Sequence, residues 1–150
     1  MTEIEKSRKT TRTKSAKKSD DSKIVSAVGR RKTAIARVVL MPGSGQIIIN
    51  GKNFQEYVSN RHKLISEILK PFTSVNLMKV FDAKVKAVGG GISSQAEAIK
   101  LGIARALLKV DSAMKSVLGK TGCLVRDPRM KERKKYGRKR ARKSFQYTKR

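Results

Sequence analysis

Val80-Phe-Asp-Ala-Lys-Val-Lys-Ala-Val-Gly-Gly-Gly-Ile-Ser-Ser-Gln-Ala-Glu-Ala-Ile-Lys-Leu-Gly-Ile-Ala-Arg-Ala-Leu-Leu108 changes period in its middle, and that change decides the fold. Its first part alternates, with Phe81, Ala83, Val85 and Ala87 on one side and Asp82, Lys84 and Lys86 on the other. Successive strand side chains point to opposite faces, so residues 80–88 read as a strand. One face is buried and the other is basic and faces outward. After three glycines the apolar residues recur at helical spacing: Ala96, Ile99, Ile103, Ala106, Leu107 and Val110 form one stripe. Ser94 and Glu97 have capping-box spacing at the start of that helix. A strand that passes through a tight loop into a long amphipathic helix is a unit of a two-layer domain.

Upstream, Thr33-Ala-Ile-Ala-Arg-Val-Val-Leu-Met41 is rich in β-branched residues and reads as a second strand. Pro42-Gly-Ser-Gly45 supplies a preset φ and permissive glycines for a hairpin loop, and Gln46-Ile-Ile-Ile-Asn50 pairs back, ending at Asn50-Gly51. Residues 53–70 read as two short helical pieces. Phe54, Tyr57 and Val58 form one apolar patch, Leu64, Ile65, Ile68 and Leu69 another, and Pro71 stops the run. Asp111-Ser112 begins a short helix through Leu118, ended by Gly119. The expected fold class is α+β: a two-layer domain over residues 24–125, with a sheet of about four strands and helices on one face. A disordered basic arm (1–23) precedes it and an extended basic tail (126–150) follows.

The formal charge is +26 in 150 residues. Residues 126–150 hold thirteen Lys or Arg against two acids, and their few apolar residues fit neither a helical nor a strand period. Such a segment cannot offset its ordering entropy by burial, and its charges repel one another. It needs an external polyanion. The preceding 102 residues are basic too, with sixteen cations against five acids. Nucleic acid fits better than an anionic membrane, because no amphipathic helix with large apolar residues accompanies the charge. No apolar run approaches the roughly 20 residues of a membrane span. Glu3, Glu5, Asp20 and Asp21 argue against reading the arm as a transit peptide, since those are poor in acids.

Catalytic chemistry has little to work with. A lone Cys123 excludes an intrachain disulfide and reads as a small core or interface residue. The single histidine, His62, shares no metal-ligand spacing with it, and five acids in 24–125 offer no paired-carboxylate site. Gly89-Gly90-Gly91 lacks the Lys-Ser/Thr pair of an NTP-binding loop and reads as a tight strand-to-helix connection, with or without an RNA phosphate. No catalytic residue, metal or cofactor is expected. Gly29-Arg-Arg-Lys32, taken as the start of the first strand, places cations on alternating faces. Phosphate contact accounts for them, with charge protection of a sheet edge as the structural alternative. In the tail, Asp127-Pro128 suits the N-cap and first turn of a short basic helix ending at Gly137. Beyond it Phe145 and Tyr147 interleave with cations, as side chains that stack on unpaired bases do, or pack on a neighbouring protein. Fully stretched, the tail reaches on the order of 80 Å.

Several of these segments together carry a family resemblance. They are Gly29-Arg-Arg-Lys-Thr-Ala-Ile-Ala-Arg-Val38, Pro42-Gly-Ser-Gly-Gln-Ile-Ile-Ile-Asn-Gly51, Gly89-Gly-Gly-Ile-Ser-Ser-Gln-Ala96, Arg126-Asp-Pro-Arg129, Glu132-Arg-Lys-Lys135 and Gln146-Tyr-Thr-Lys-Arg150. In this order they resemble the universal ribosomal protein nine family of the small subunit, in its bacterial or plastid type, over roughly residues 25–150. Ser94, Glu97 and Tyr147-Thr148 depart from the family's usual residues. The resemblance implies a fold like the second domain of small-subunit ribosomal protein five. It also implies a place in the subunit head against 16S-type rRNA and neighbouring head proteins, with no enzymatic role and no membrane. The implied setting is the cytoplasm, with the plastid stroma as an alternative. The rRNA-binding set expected is Arg30, Arg31, Lys32, Arg37, Arg129, Arg133, Lys134, Lys135, Arg138, Lys139 and Arg140. The resemblance puts Arg142, Lys143, Lys149 and Arg150 near the anticodon stem-loop of the peptidyl-site tRNA. A nucleoid-type DNA-binding module is the rival; it explains the charge but not an extended terminus with interleaved aromatics.

Overall fold

The strand expected to begin at Gly29 is two strands. Val25–Arg31 (β1) and Ala34–Pro42 (β2) form an antiparallel hairpin with Arg31 opposite Ala34, so Lys32 and Thr33 alone turn the chain. Lys32 adopts φ 50°, the left-handed backbone that two-residue hairpin loops need and that Asn or Gly normally supplies. With that signal missing, residues 29–41 read as one run. The structure, a computed structural model, describes residues 24–149, and the expected N-terminal arm lies outside the described residues. The remaining elements in chain order are Ile47–Ile49 (β3), Lys52–Asn53 (β4), Phe54–Tyr57 (α1), His62–Val75 (α2), Phe81–Val88 (β5), Ile92–Val110 (α3), a 3-10 turn at Ser112–Met114, and Lys115–Lys120 (α4).

The fold is the expected α+β sheet with helices packed on it, β4 adding a two-residue fifth strand. Its strand order is β1-β2-β5-β3-β4, which overturns the expected hairpin between residues 33–41 and 46–50. Instead β5 lies between the two, antiparallel to β2 and parallel to β3. Asp82 supplies the reason. Its carboxylate accepts the N–H groups of Ser44, Gly45 and Gln46, each at 2.8 Å, curling the loop around the start of β5. Those bonds, the Gln46 N–H foremost, hold Asp82 below its ordinary carboxylate range. Gly43 is required here, because a Cβ would fall 2.1 Å from the Asp82 carboxylate. Asn50 then prolongs the β3–β5 ladder with its side chain: Nδ2 donates to the Ala87 carbonyl and Oδ1 accepts the Ala87 N–H, both at 2.9 Å.

The helices cover the face bearing Ala27, Ala36, Val38, Leu40, Ala83, Val85 and Ala87, all buried. Helix α3 approaches the sheet most closely where Gly29 meets Gly102. A Cβ on Gly29 would lie 1.8 Å from the Ala98 carbonyl oxygen and 2.5 Å from the Gly102 nitrogen. The helix also covers the free edge of β1, where Arg105 Nη1 donates to the Val28 carbonyl at 2.9 Å and Lys109 Nζ to the Ser26 carbonyl at 2.8 Å. Unpaired strand edges invite pairing with other chains, and charged side chains here occupy the acceptors. Cys123 is fully buried beside Leu118, as expected of a small core residue.

Three helical expectations are corrected. Pro71 does not stop the run; it lies fully buried inside α2, which continues to Val75 and ends on left-handed Asn76. A proline inside a helix costs about 3 kcal/mol, and burial of Ile68 and Phe72 beside it, at about 1.5–3 kcal/mol each, offsets that. Ser94 and Glu97 form no capping box. Gly89 and Gly90, at φ 74° and 64°, pack against Thr33 and Ala34, so α3 begins two residues before Ser94 with Gly91 as its uncapped N-cap. No helix forms in residues 126–149 either: the Asp127 carboxylate accepts the Arg129 N–H at 2.9 Å within a local turn and is drawn into ion pairs with two arginines.

Candidate nucleic-acid interface

Strand alternation sets which cations face away from the helices. Arg30 on β1, Arg37 on β2 and Lys84 and Lys86 on β5 are exposed on the open side of the sheet. The register places Arg37 directly opposite Lys86, with Lys84 opposite Val39 and level with Ile48. A shallow depression there is lined by Arg37, Val39, Ile48, Lys84 and Lys86. Like charges placed directly opposite are destabilising, by roughly 0.2–1 kcal/mol. None of these three cations makes an ion pair among the described residues, and the one acid nearby in the strand, Asp82, is engaged by backbone N–H groups. The face is thus a row of uncompensated cations on an apolar floor. Lys84 and Lys86 are missing from the expected binding set; alternation puts them on a basic side, but only the register sets them beside Arg37. Lys32 sits exposed at the tip of the β1–β2 turn.

Arg31 points the other way. Its guanidinium, on a side chain only 12% exposed, bonds through Nε to the Glu97 carboxylate on α3 and through Nη2 to Asp127 at 2.9 Å. Nη1 donates to the Arg129 carbonyl at 2.7 Å. Arg129 in turn donates to Asp127 through Nε at 3.1 Å and Nη2 at 3.0 Å. The Arg129 side chain, more than any other contact, holds the Asp127 pKa down to about 2, and Asp127 raises that of Arg129. Of the expected binding set, Arg31 and Arg129 therefore meet at the root of the tail, both on the Asp127 carboxylate.

Beyond the root, the second tail acid is enclosed as well. Glu132 pairs with Lys135 and, at 2.9 Å, with Arg142, which hold its carboxyl below the usual range, Lys135 foremost. Gly137, at φ 66°, turns the chain, and Arg138 Nη1 donates to the Arg142 carbonyl at 2.9 Å and to Ser144 Oγ at 2.7 Å. The fold-back gathers Lys131, Lys134, Lys139 and Arg140 around one concavity, while Lys139 Nζ lies 5.5 Å from the centre of the Phe145 ring. Arg133, Lys134, Arg140, Lys143 and Lys149 are exposed and make no ion pair among the described residues. Arg150 lies outside them. Tyr136 and Tyr147 are 96% and 92% exposed and Phe145 62%. Tyr136, not expected to take part, stands between cations as the other two do. Cys123 meets the Thr121 hydroxyl, not His62. No group of three or more His, Cys, Asp and Glu arranged to hold a metal occurs among the described residues, and none of their helices is long and apolar enough to cross a membrane.

The family model for ribosomal protein S9/S16 matches residues 29–150. The chain is 49% identical over 127 residues to small ribosomal subunit protein uS9 of Chlorobium luteolum, covering 85% of this chain and 98% of that protein. It is 50% identical over 122 residues to small ribosomal subunit protein uS9c of Mesostigma viride, covering 81% and 89%. The uS9 protein of Cytophaga hutchinsonii is 49% identical over 127 residues, covering 85% and 98%. The matched region runs from Gly29, where α3 meets the sheet, through the basic tail. On that evidence the chain belongs to the ribosomal protein S9/S16 family, whose members are structural, non-enzymatic proteins of the ribosome.

Proposed function

We propose that this protein is a structural constituent of the small ribosomal subunit that binds 16S-type rRNA in the head. The globule (24–125) and the tail (126–150) divide the task. On the globule, Arg30, Lys32 and Arg37, joined by Lys84 and Lys86, face backbone phosphate. On the tail, Arg129, Arg133, Lys134, Lys135, Arg138, Lys139 and Arg140 follow the RNA, while Phe145 and Tyr147 stack on unpaired bases. Arg142, Lys143, Lys149 and Arg150 reach the anticodon stem-loop of the peptidyl-site tRNA. Neighbouring head proteins are further partners, and the cytoplasm or a plastid stroma is the setting.

The observation that carries this reading is the tail: thirteen cations against two acids, in a segment whose described residues form neither helix nor strand. Its ordering needs a polyanion, and each phosphate it neutralises releases condensed counterions. Binding of the full chain and of a chain ending at Val125 is to be compared on a 16S-type rRNA 3′ major-domain transcript, from low to high salt. Truncation is expected to flatten the salt dependence, by roughly 0.7–0.9 in slope for every phosphate left without its cation. Equal slopes, or tighter binding to duplex DNA of matched length, would sink the proposal.

A further inference from the structure

An acid in an otherwise cationic tail opposes phosphate binding unless something neutralises it. Both tail acids are neutralised, but differently. Glu132 pairs with Arg142, whose side chain is 86% exposed; such a contact is weak, screened by salt, and free to open when phosphate competes. Asp127 is paired with Arg31, the mostly buried side chain at the end of β1. Arg31 also spans to α3 through Glu97 and holds the backbone carbonyl of Arg129. All three guanidinium nitrogens are committed, two of them to carboxylates, in a rigid planar fork. The group ties strand, helix and tail together with two cations against two anions.

We propose that Arg31 is a positioning residue: its clasp on Glu97, Asp127 and the Arg129 carbonyl fixes the root of the tail, so that the tail leaves the globule in one preset direction before RNA is met. The inference rests on the proposed RNA-bound tail and changes Arg31 from a phosphate ligand into the tail's anchor. Ordering the root beforehand removes part of the entropy that binding would otherwise cost. The contacts beyond Glu132 are exposed ones that can open for that part of the tail to follow the RNA.

The test uses the full chain with Arg31→Gln, Arg31→Lys and Asp127→Asn. Heteronuclear NOE values at residues 127–130 of the free protein report the clasp. Arg31→Gln and Asp127→Asn are expected to lower them toward those of residues 146–149, with the melting temperature of the globule little changed. Arg31→Lys, which keeps the charge but not the fork, should give intermediate values. On the 3′ major-domain transcript, both Arg31→Gln and Asp127→Asn should bind more weakly, on the order of three- to tenfold, with an unchanged salt slope. A phosphate-ligand role for Arg31 predicts the opposite pattern: a slope reduced by about 1 in Arg31→Gln, and tighter binding in Asp127→Asn because a negative charge is gone. Unaltered NOE values, or equal or tighter binding by Asp127→Asn, overturn the clasp. If the unsubstituted chain fails to bind the transcript, the RNA reading falls while the NOE values still decide whether the clasp exists.

Discussion

Single atoms decide the contacts that matter most here. At Gly29 there is no room for a methyl group, since the Ala98 carbonyl oxygen would stand 1.8 Å from it. Gly29→Ala is expected to push α3 off the sheet and cost about 1–3 kcal/mol, read as a lower urea midpoint at unchanged m-value. Asp127 gives a prediction in pH. Its folded pKa is depressed to about 2, below the ordinary aspartate value near 4. A depressed carboxyl contributes stability that is fully present above the ordinary value and lost as pH falls through the folded one. The Arg129 amide resonance should therefore hold its position from neutral pH to about 4 and move only toward pH 2. A midpoint near 4 would show that Asp127 is not engaged.

At the scale of elements, the unit from β5 through the glycines to α3 was legible because two clean periods meet there. Alternation set β5's buried face correctly, and α3's stripe pointed to its core side. What stayed hidden depends on side chains acting across long separations. Asp82 captures a loop 36 to 38 residues earlier in the chain, and no local signal announces it. Lys32 turns the β1–β2 hairpin without the glycine or asparagine that would mark the turn; alternation put Arg30 and Arg31 on opposite faces, but not which of the two meets the helix. The edge of β1 yields a further expectation. Replacing Arg105 and Lys109 together by alanine frees the Ser26 and Val28 carbonyls, and the protein should self-associate through β1 with its melting temperature lowered by no more than a few degrees. Sedimentation velocity at increasing concentration checks it; a monomer throughout would refute edge protection.

Over the whole molecule, charge that folding does not consume is the thread from composition to function. The tail's excess was legible from the sequence alone, because a segment without an apolar period has nothing to bury. Its internal organisation was not: Asp127 read as an N-cap and Glu132 only as part of a family segment, whereas each closes a separate set of ion pairs. The far end carries its own prediction. Removing Lys149 and Arg150 should leave small-subunit assembly intact and weaken tRNA in the peptidyl site, with the effect shrinking as salt is raised. Filter binding of tRNA to assembled, truncated subunits at several salt concentrations measures it, and unchanged affinity would remove the tRNA from the proposal.

The central position of β5 has a consequence for the order of events at synthesis. The β1–β2 hairpin and the β3–β4 pair share no strand contact until β5 enters between them. A nascent chain that stops short of Phe81 therefore holds two unconnected half-sheets with apolar faces open, and only the later strand welds them. Chains of that length are the ones to expect bound to chaperones. The cationic tail emerges only after the sheet it hangs from has been joined.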